Sequence, residues 1–410
     1  MDKIQLIFFF ISGFLVSRLL IKAKLPHRIV YWLIGKRHLS VTKIVFYLIV
    51  ISAFLSFFIP NAITVLTLLP LLELLRRSYE KSAGSSKGVP TLLALATIYG
   101  ANIGGMGSIT ATPANGILVT YAVLNKVPGI QHITFASWLV WGVPLVMVFA
   151  IIAWLILTTV LRTWIYQKNK IHLPFETSDI NHPFQNITIL ITVVYFLSSF
   201  ILSLLLMSTP QQTPFILTIT GLFTLGLILF LFLIPVRGSN KHDPKHVLLS
   251  IPDCYNELPT KGFLYVGIAV GLAAILYAFK FHEFFSQWAG VITPKGLSVF
   301  ALFLLIALAT SFSTEILSNT AVQLSFFAMA LPLAKTFEIS ALEALVIITL
   351  ACTSAFMSPI ATGVNGLAFG GVKGASFSKM LIVGFVMNIA GALLLSAWTI
   401  FFIGRLYKLN

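Results

Sequence analysis

Acidic side chains are scarce in this sequence: 12 Asp and Glu stand among 410 residues, against 27 Lys and Arg. Charged residues of both signs reach only 10%, where a water-soluble domain carries about a quarter, so an ordinary soluble fold is excluded. The same shortage argues against an enzyme, because no apolar stretch holds the His, Asp or Glu cluster that acid–base catalysis needs; no catalytic residue is expected. Two cysteines, Cys254 and Cys352, are too few for a disulfide framework. The opening stretch MDKIQLIFFFISGFLVSRLLIKAK lacks a basic leader and a small-residue cleavage site, so it reads as a retained span rather than a signal peptide.

What is present is apolar. Hydrophobic residues make up 58% and mean hydropathy is +0.97. Residues 187–207 and 214–235 run 21 and 22 positions without a charge, and about 20 apolar residues suffice to cross a hydrocarbon core. The expected fold class is an all-α polytopic membrane protein. The net charge of +15 would suggest nucleic acid in a soluble protein, but Lys and Arg sit between apolar spans as the positive-inside rule requires. Membrane lipid is therefore the expected surroundings, and no nucleic-acid partner is expected.

Full crossings are expected at 4–23, 134–161, 187–207, 214–235, 263–279 and 380–403. Two longer runs, 90–124 and 340–370, read as broken spans. They carry a repeated phrase, ATPANG at 111–116 and ATGVNG at 361–366. Two more, 42–75 and 297–333, hold polar knots, SFFIPNA at 56–62 and STEILSNTA at 313–321, and read as re-entrant hairpins. Non-helical backbone at membrane depth survives only when shielded by protein or lining a wet cavity. The two parts follow one order: a span, a short amphipathic piece, a hairpin, a broken span and a whole span. An odd shift of five crossings separates them, so the expectation is inverted repeats, each with a hairpin and a broken helix, and about eight full crossings. Such repeats build many secondary transporters. With the first hairpin's mouth in the cytoplasm, basic residues divide 19 inside to seven outside, which places both termini outside the cell membrane. Residues 1–40 and 181–295 are expected to form scaffold spans and arms, 41–165 and 296–404 a transport domain, and 405–410 a tail.

Four Asn residues lie in these knots and phrases: Asn61, Asn115, Asn319 and Asn365. An unpaired amide in hydrocarbon costs several kcal/mol, so each needs a partner. Broken helices offer N–H groups to an anion and free carbonyls to a cation, which allows an anion site without Arg or Lys. Glu315 is the one carboxylate inside a knot; a cation or proton site and pairing with a neighbouring helix end are both open to it. The Gly-rich GANIGGMG at 100–107 lacks the strand–turn–helix setting of a phosphate loop and suits close helix packing. HDPKH at 242–246 reads as a solvated loop rather than a metal site.

The stretch TEILSNTA at 314–321, with FLSFFIPNAITVLTLLP, ANIGGMGSITATPANGI, ITFASWLVWGVPL and SAFMSPIATGVNGLAFG, resembles the divalent-anion:sodium symporter family. These are INDY-type di- and tricarboxylate and sulfate carriers of the ion-transporter superfamily. The resemblance implies that Ser318, Asn319, Thr320 and Thr362 contact one end of the substrate, and Asn61 and Thr112 the other. It implies one sodium surrounded by Thr314, Leu317, Asn319 and Ala361, with Leu317 and Ala361 through their carbonyls. A second, weaker sodium would lie among Ser56, Asn61 and Ala111. No organic cofactor is implied; a homodimer is.

This chain departs from the family at three places. Pro60-Asn61-Ala62 stands where the family has Ser-Asn-Thr, Gly363-Val364 stands where it usually has Pro-Pro, and by the resemblance about three N-terminal scaffold spans of the family are expected to have no counterpart here. The expected function is a secondary carrier of a small anion, a di- or tricarboxylate, coupled to sodium and working as an elevator. An anion exchanger, a proton-coupled carrier or a carrier of another oxyanion is the alternative. An ion channel, which also uses broken helices, is a further one.

Overall fold

The computed structural model describes residues 3–34, 39–83, 88–166, 182–237, 245–255 and 297–407. Helix dominates. In order come α1 (Lys3–Lys22), α2 (Leu25–Ile34), α3 (Val41–Phe58), α4 (Asn61–Ala83), α5 (Val89–Gly104), α6 (Pro113–Leu124), α7 (Phe135–Val160), α8 (Gln185–Ser208) and α9 (Thr213–Leu233). A small antiparallel pair follows, β1 (Pro235–Arg237) with β2 (Lys245–Val247), then α10 (Ile251–Tyr255). The second copy holds α11 (Val299–Ser313), α12 (Asn319–Thr336), α13 (Ala341–Cys352), α14 (Gly363–Gly371) and α15 (Phe377–Trp398), which ends in a π-helical turn. Six of the described helices are long and apolar enough to cross a membrane, α3 among them. The protein is a polytopic helical membrane protein. The expected crossing at 263–279 lies outside the described residues.

Each break has a local cause. Pro60 has no N–H, and its ring blocks the helical conformation of the residue before it. Ile59 is accordingly extended, at φ −123° and ψ 153°, and helix resumes at Asn61. In the second hairpin no proline is needed: Ser318 is extended and its hydroxyl caps α12 by accepting from the Ala321 N–H at 3.3 Å. Thr112 and Thr362 are the extended residues before α6 and α14, and Pro113 supplies a preset first helical residue.

Packing repeats between the copies. In the first, α3 packs on α5 and α7, α4 on α5, and α5 on α7; in the second, α11, α12, α13 and α15 pair in the same pattern. The copies then exchange their short half-helices. The second copy's α14 lies against α4 and α5, and the first copy's α6 against α12 and α13. The α3–α5 seam is tight because of two glycines in the Gly-rich stretch. A Cβ on Gly104 would stand 2.2 Å from the Ala53 carbonyl oxygen, and one on Gly100 2.5 Å from that of Ile49. Close packing through small residues is therefore what this stretch does.

Outside this body, α1, α8 and α9 pack together through a polar seam. Gln5 Nε2 donates to the Leu202 carbonyl at 3.2 Å and to Thr220 at 3.4 Å, and Ser12 pairs with Thr224 at 3.2 Å. Lys22 closes the end of α1 on Asp253 at 2.7 Å. Partial burial pushes the Asp253 carboxyl up, but Lys22 and the Ser250 hydroxyl and N–H outweigh it and hold it below the usual carboxylate range. His246 lies on β2, and among the described residues no group of His, Cys, Asp and Glu could hold a metal.

Candidate substrate and cation site

The four singled-out Asn residues divide into two kinds. Asn115 is buried, and its Nδ2 donates to the carbonyls of Gly105 (3.0 Å) and Ser108 (2.8 Å). Asn365 is its mate: Nδ2 donates to Ala355 (3.0 Å) and Ser358 (2.8 Å). Both bonds span ten and seven residues in each copy, so each side chain staples its own break closed. Asn61 and Asn319 do something different. They are the first residues of α4 and α12 and stand half-buried at the hairpin tips.

Around Asn319, Thr314 is wholly buried and its hydroxyl donates to Asn319 Oδ1 at 2.5 Å and to the Cys352 carbonyl at 3.1 Å. Thr362 is half-buried; its hydroxyl donates to Asn365 Oδ1 at 3.0 Å and accepts from the Asn365 N–H at 3.1 Å. Ser318 and Leu317 are exposed, Thr320 is half-buried and Ala361 is buried.

Around Asn61 the bonding is sparser. Ser56 is buried, and its hydroxyl is turned to Thr64 at 3.0 Å. A Cβ on Gly105 would meet Thr112 Cγ2 at 2.5 Å and both amide atoms of Asn61 at 3.0 Å, so Gly105 is what lets these two approach the break. Asn61 Oδ1, Thr112 Oγ1 and Asn115 Oδ1 are buried without a hydrogen-bond partner. Buried polar atoms are normally satisfied, and three acceptors left open around one break form a set of oxygens that suits a hard cation. Ala111 is buried beside them.

The structure brings the halves together through residues that were not candidates in the sequence. Asn102 Nδ2 donates to the Ala355 carbonyl at 2.9 Å and to Asn365 Oδ1 at 3.2 Å, and the Tyr99 hydroxyl donates to the Phe356 carbonyl at 3.3 Å. The end of α5 thus holds the break of the other copy. Asn102 lies within GANIGGMG, and its polar side chain amid small residues was the available signal. Glu315 pairs with a broken helix end: its carboxylate accepts from the backbone N–H groups of Phe356, Met357 and Ser358 and from Asn388.

No Lys or Arg occurs in residues 44–75, 89–125, 297–334 or 339–372, the segments that hold all four breaks. Positive potential there comes from helix N-termini, at Asn61, Pro113, Asn319 and Gly363, each worth roughly half a charge. Such ends bind small anions through free N–H groups.

Comparison with known proteins finds membrane transporters. The sodium-dependent dicarboxylate transporter SdcS of Staphylococcus saprophyticus is 24% identical over 397 residues, covering 94% of this chain and 74% of that protein. Its namesake in Staphylococcus aureus is 24% identical over 416 residues, covering 95% and 75%. An uncharacterized transporter of Haemophilus influenzae is 25% identical over 389 residues, covering 93% and 78%. The profile of the citrate transporter family matches residues 3–276, more than half of the sequence. The chain belongs to the citrate transporter family.

Proposed function

We propose that this protein is a sodium-coupled secondary carrier of a small di- or tricarboxylate. The observation that carries the reading is the paired set of breaks, in which the N-termini of α4, α6, α12 and α14 bear amide and hydroxyl side chains on segments without Lys or Arg. Ser318, Asn319, Thr320 and Thr362 hold one end of the anion, and Asn61 and Thr112 the other. Sodium is a co-substrate. Thr314, Asn319 and the carbonyls of Leu317 and Ala361 surround one ion; Asn61 and the Ala111 carbonyl, beside a Ser56 whose hydroxyl is turned to Thr64, form a second, weaker site. The open acceptors Asn61 Oδ1 and Thr112 Oγ1 support a cation in the first half, and the Thr314–Asn319 pair supports one in the second. Sodium close to the helix ends adds positive charge where the carboxylates bind, which couples the two ligands.

Alternating access takes the form of an elevator in this reading. The hairpins and broken spans of both copies interlock through α6, α14, Asn102 and Tyr99, so they move as one body against the α1, α8 and α9 scaffold. Both termini face out.

The test is thermal unfolding of purified protein against a panel of dicarboxylates, tricarboxylates and sulfate, each in sodium and in choline. A ligand bound only by the folded state stabilises by RT ln(1 + [L]/Kd), about 2.7 kcal/mol at a hundredfold excess over Kd. Stabilisation by a carboxylate in sodium but not in choline is the expected result. Equal shifts in both salts would favour an exchanger or a proton-coupled carrier.

A further inference from the structure

Glu315 breaks the symmetry between the copies. It is 5% exposed. Its Oε1 accepts from the N–H of Phe356 at 2.7 Å, from that of Met357 at 2.9 Å and from Asn388 Nδ2 at 2.8 Å. Oε2 accepts from the Ser358 N–H at 2.8 Å. Aligning Asn61 with Asn319 and Asn115 with Asn365 sets Phe57 against Glu315 and Gly107 against Met357. At Gly107 a Cβ would meet Phe57 ring carbons at 2.8 and 2.9 Å and Val146 Cγ2 at 3.1 Å. An apolar pair, Phe57 and Val146, thus occupies the place that Glu315 and Asn388 take in the other copy.

The backbone responds to this difference. In the first copy the amides of Gly105, Met106 and Gly107 donate back to Ala101, Ile103 and Gly104, and α5 continues to Gly104. In the second copy α13 stops at Cys352, which matches Asn102, two residues earlier. The amides of Thr353 and Ser354 still turn back to the Ala351 carbonyl, whereas those of Phe356, Met357 and Ser358 bond to the carboxylate. Carbonyls released from the helix ladder are then free for other partners. Cys352 O accepts from Thr314, Ala355 O from Asn102 and Asn365, and Phe356 O from Tyr99.

We propose that Glu315 is a positioning residue that holds the second broken span unwound, and that this, with its negative charge one residue from Thr314, makes the second half the tighter cation site. The inference rests on the sodium-coupled reading above. It also assigns the three amides of residues 356–358 to an internal carboxylate, so the transported anion is bound by the ends of α12 and α14 rather than by this loop.

The experiment is thermal unfolding of the full chain in detergent, titrated with sodium chloride against choline chloride at constant ionic strength. Wild type, Glu315→Gln and the double variant Glu315→Phe/Asn388→Val are compared. Glu315→Gln puts an amide group where carboxylate oxygens accept from backbone N–H, and the double variant installs the pair that the first copy already carries. The midpoint of the sodium response is a readout that a merely structural role would leave in place. It should rise at least tenfold in either variant. A sodium response in wild type with an unmoved midpoint in a folded variant would overturn the role of Glu315 alone. No response in wild type would overturn the sodium reading, and this inference with it. Failure of both variants to fold would show that the pair serves folding rather than the site, and would also overturn it.

Discussion

Truncating Asn365, Asn115 and Asn61 to Ala should separate two stapling residues from a ligand group by opposite signatures. Asn365→Ala removes four side-chain hydrogen bonds: two from Nδ2 to the carbonyls of Ala355 and Ser358, and two accepted by Oδ1 from Asn102 and Thr362. At about 0.5–1.5 kcal/mol net each, the loss comes to about 2–6 kcal/mol. Part is recovered, because Ala355 O keeps Asn102 and Thr362 Oγ1 keeps the Asn365 N–H. Asn115→Ala removes two such bonds and should cost about 1–3 kcal/mol. Asn61→Ala removes an oxygen that accepts nothing from the protein. An unsatisfied buried acceptor itself costs about 1–3 kcal/mol, so this variant should be as stable as wild type, or slightly more so, without ligand. The assay is thermal and denaturant unfolding in detergent without sodium or substrate, followed by substrate binding. The expected stability order is Asn365→Ala, then Asn115→Ala, then Asn61→Ala at or above wild type, with ligand binding lost in Asn61→Ala. An Asn61→Ala protein less stable than Asn115→Ala would refute the division into staples and ligand groups.

Other predictions follow from the same geometry. Thr314→Ala removes a hydroxyl bonded to Asn319 and Cys352 and should abolish most of the sodium response of uptake. Ser56→Ala should change that response little, since the Ser56 hydroxyl faces Thr64; steep sodium cooperativity lost on Ser56→Ala would show otherwise. Gly104→Ala places a methyl 2.2 Å from a backbone oxygen and should destabilise by about 1–3 kcal/mol or more, read as a lowered Tm and reduced folded yield. In a background without Cys254 and Cys352, Lys126→Cys should be labelled from outside and Lys373→Cys from inside. Both follow the half-helices α6 and α14 and are exposed, so labelling from one face would rule out inverted repeats.

Much of this architecture was readable before any coordinates. Pro60 and the Ser-Asn-Thr of the second knot each mark a helix break by chain-local chemistry, a missing N–H in one case and a hydroxyl cap in the other. The repeated hexapeptides mark the same place in both copies because Thr112 and Thr362 are the extended residues at which helix resumes, although only the Thr362 hydroxyl caps its helix. What could not be read was pairing over long separations. Glu315 was visible as a lone carboxylate, but its three amide donors lie 41 to 43 residues away, and Asn388 73 residues away. Nothing in a polar residue's own neighbourhood tells whether its acceptors will be filled. Asn115 and Asn365 look like Asn61 and Asn319 in sequence, yet the amide Nδ2 groups of the first pair are consumed by carbonyls of the breaks, whereas Asn61 Oδ1 stays open and Asn319 Oδ1 accepts from Thr314. The link from Asn102 across 263 residues to Asn365 exists only once the half-helices are exchanged between copies.

The most direct measurement of the central claim is uptake of a labelled dicarboxylate into proteoliposomes, with an inward sodium gradient and with choline in its place, for wild type and Asn319→Ala. The account predicts saturable uptake that needs sodium and disappears in Asn319→Ala while folded yield is kept. Uptake of equal rate in choline would contradict the coupling, and normal uptake by Asn319→Ala would contradict the site.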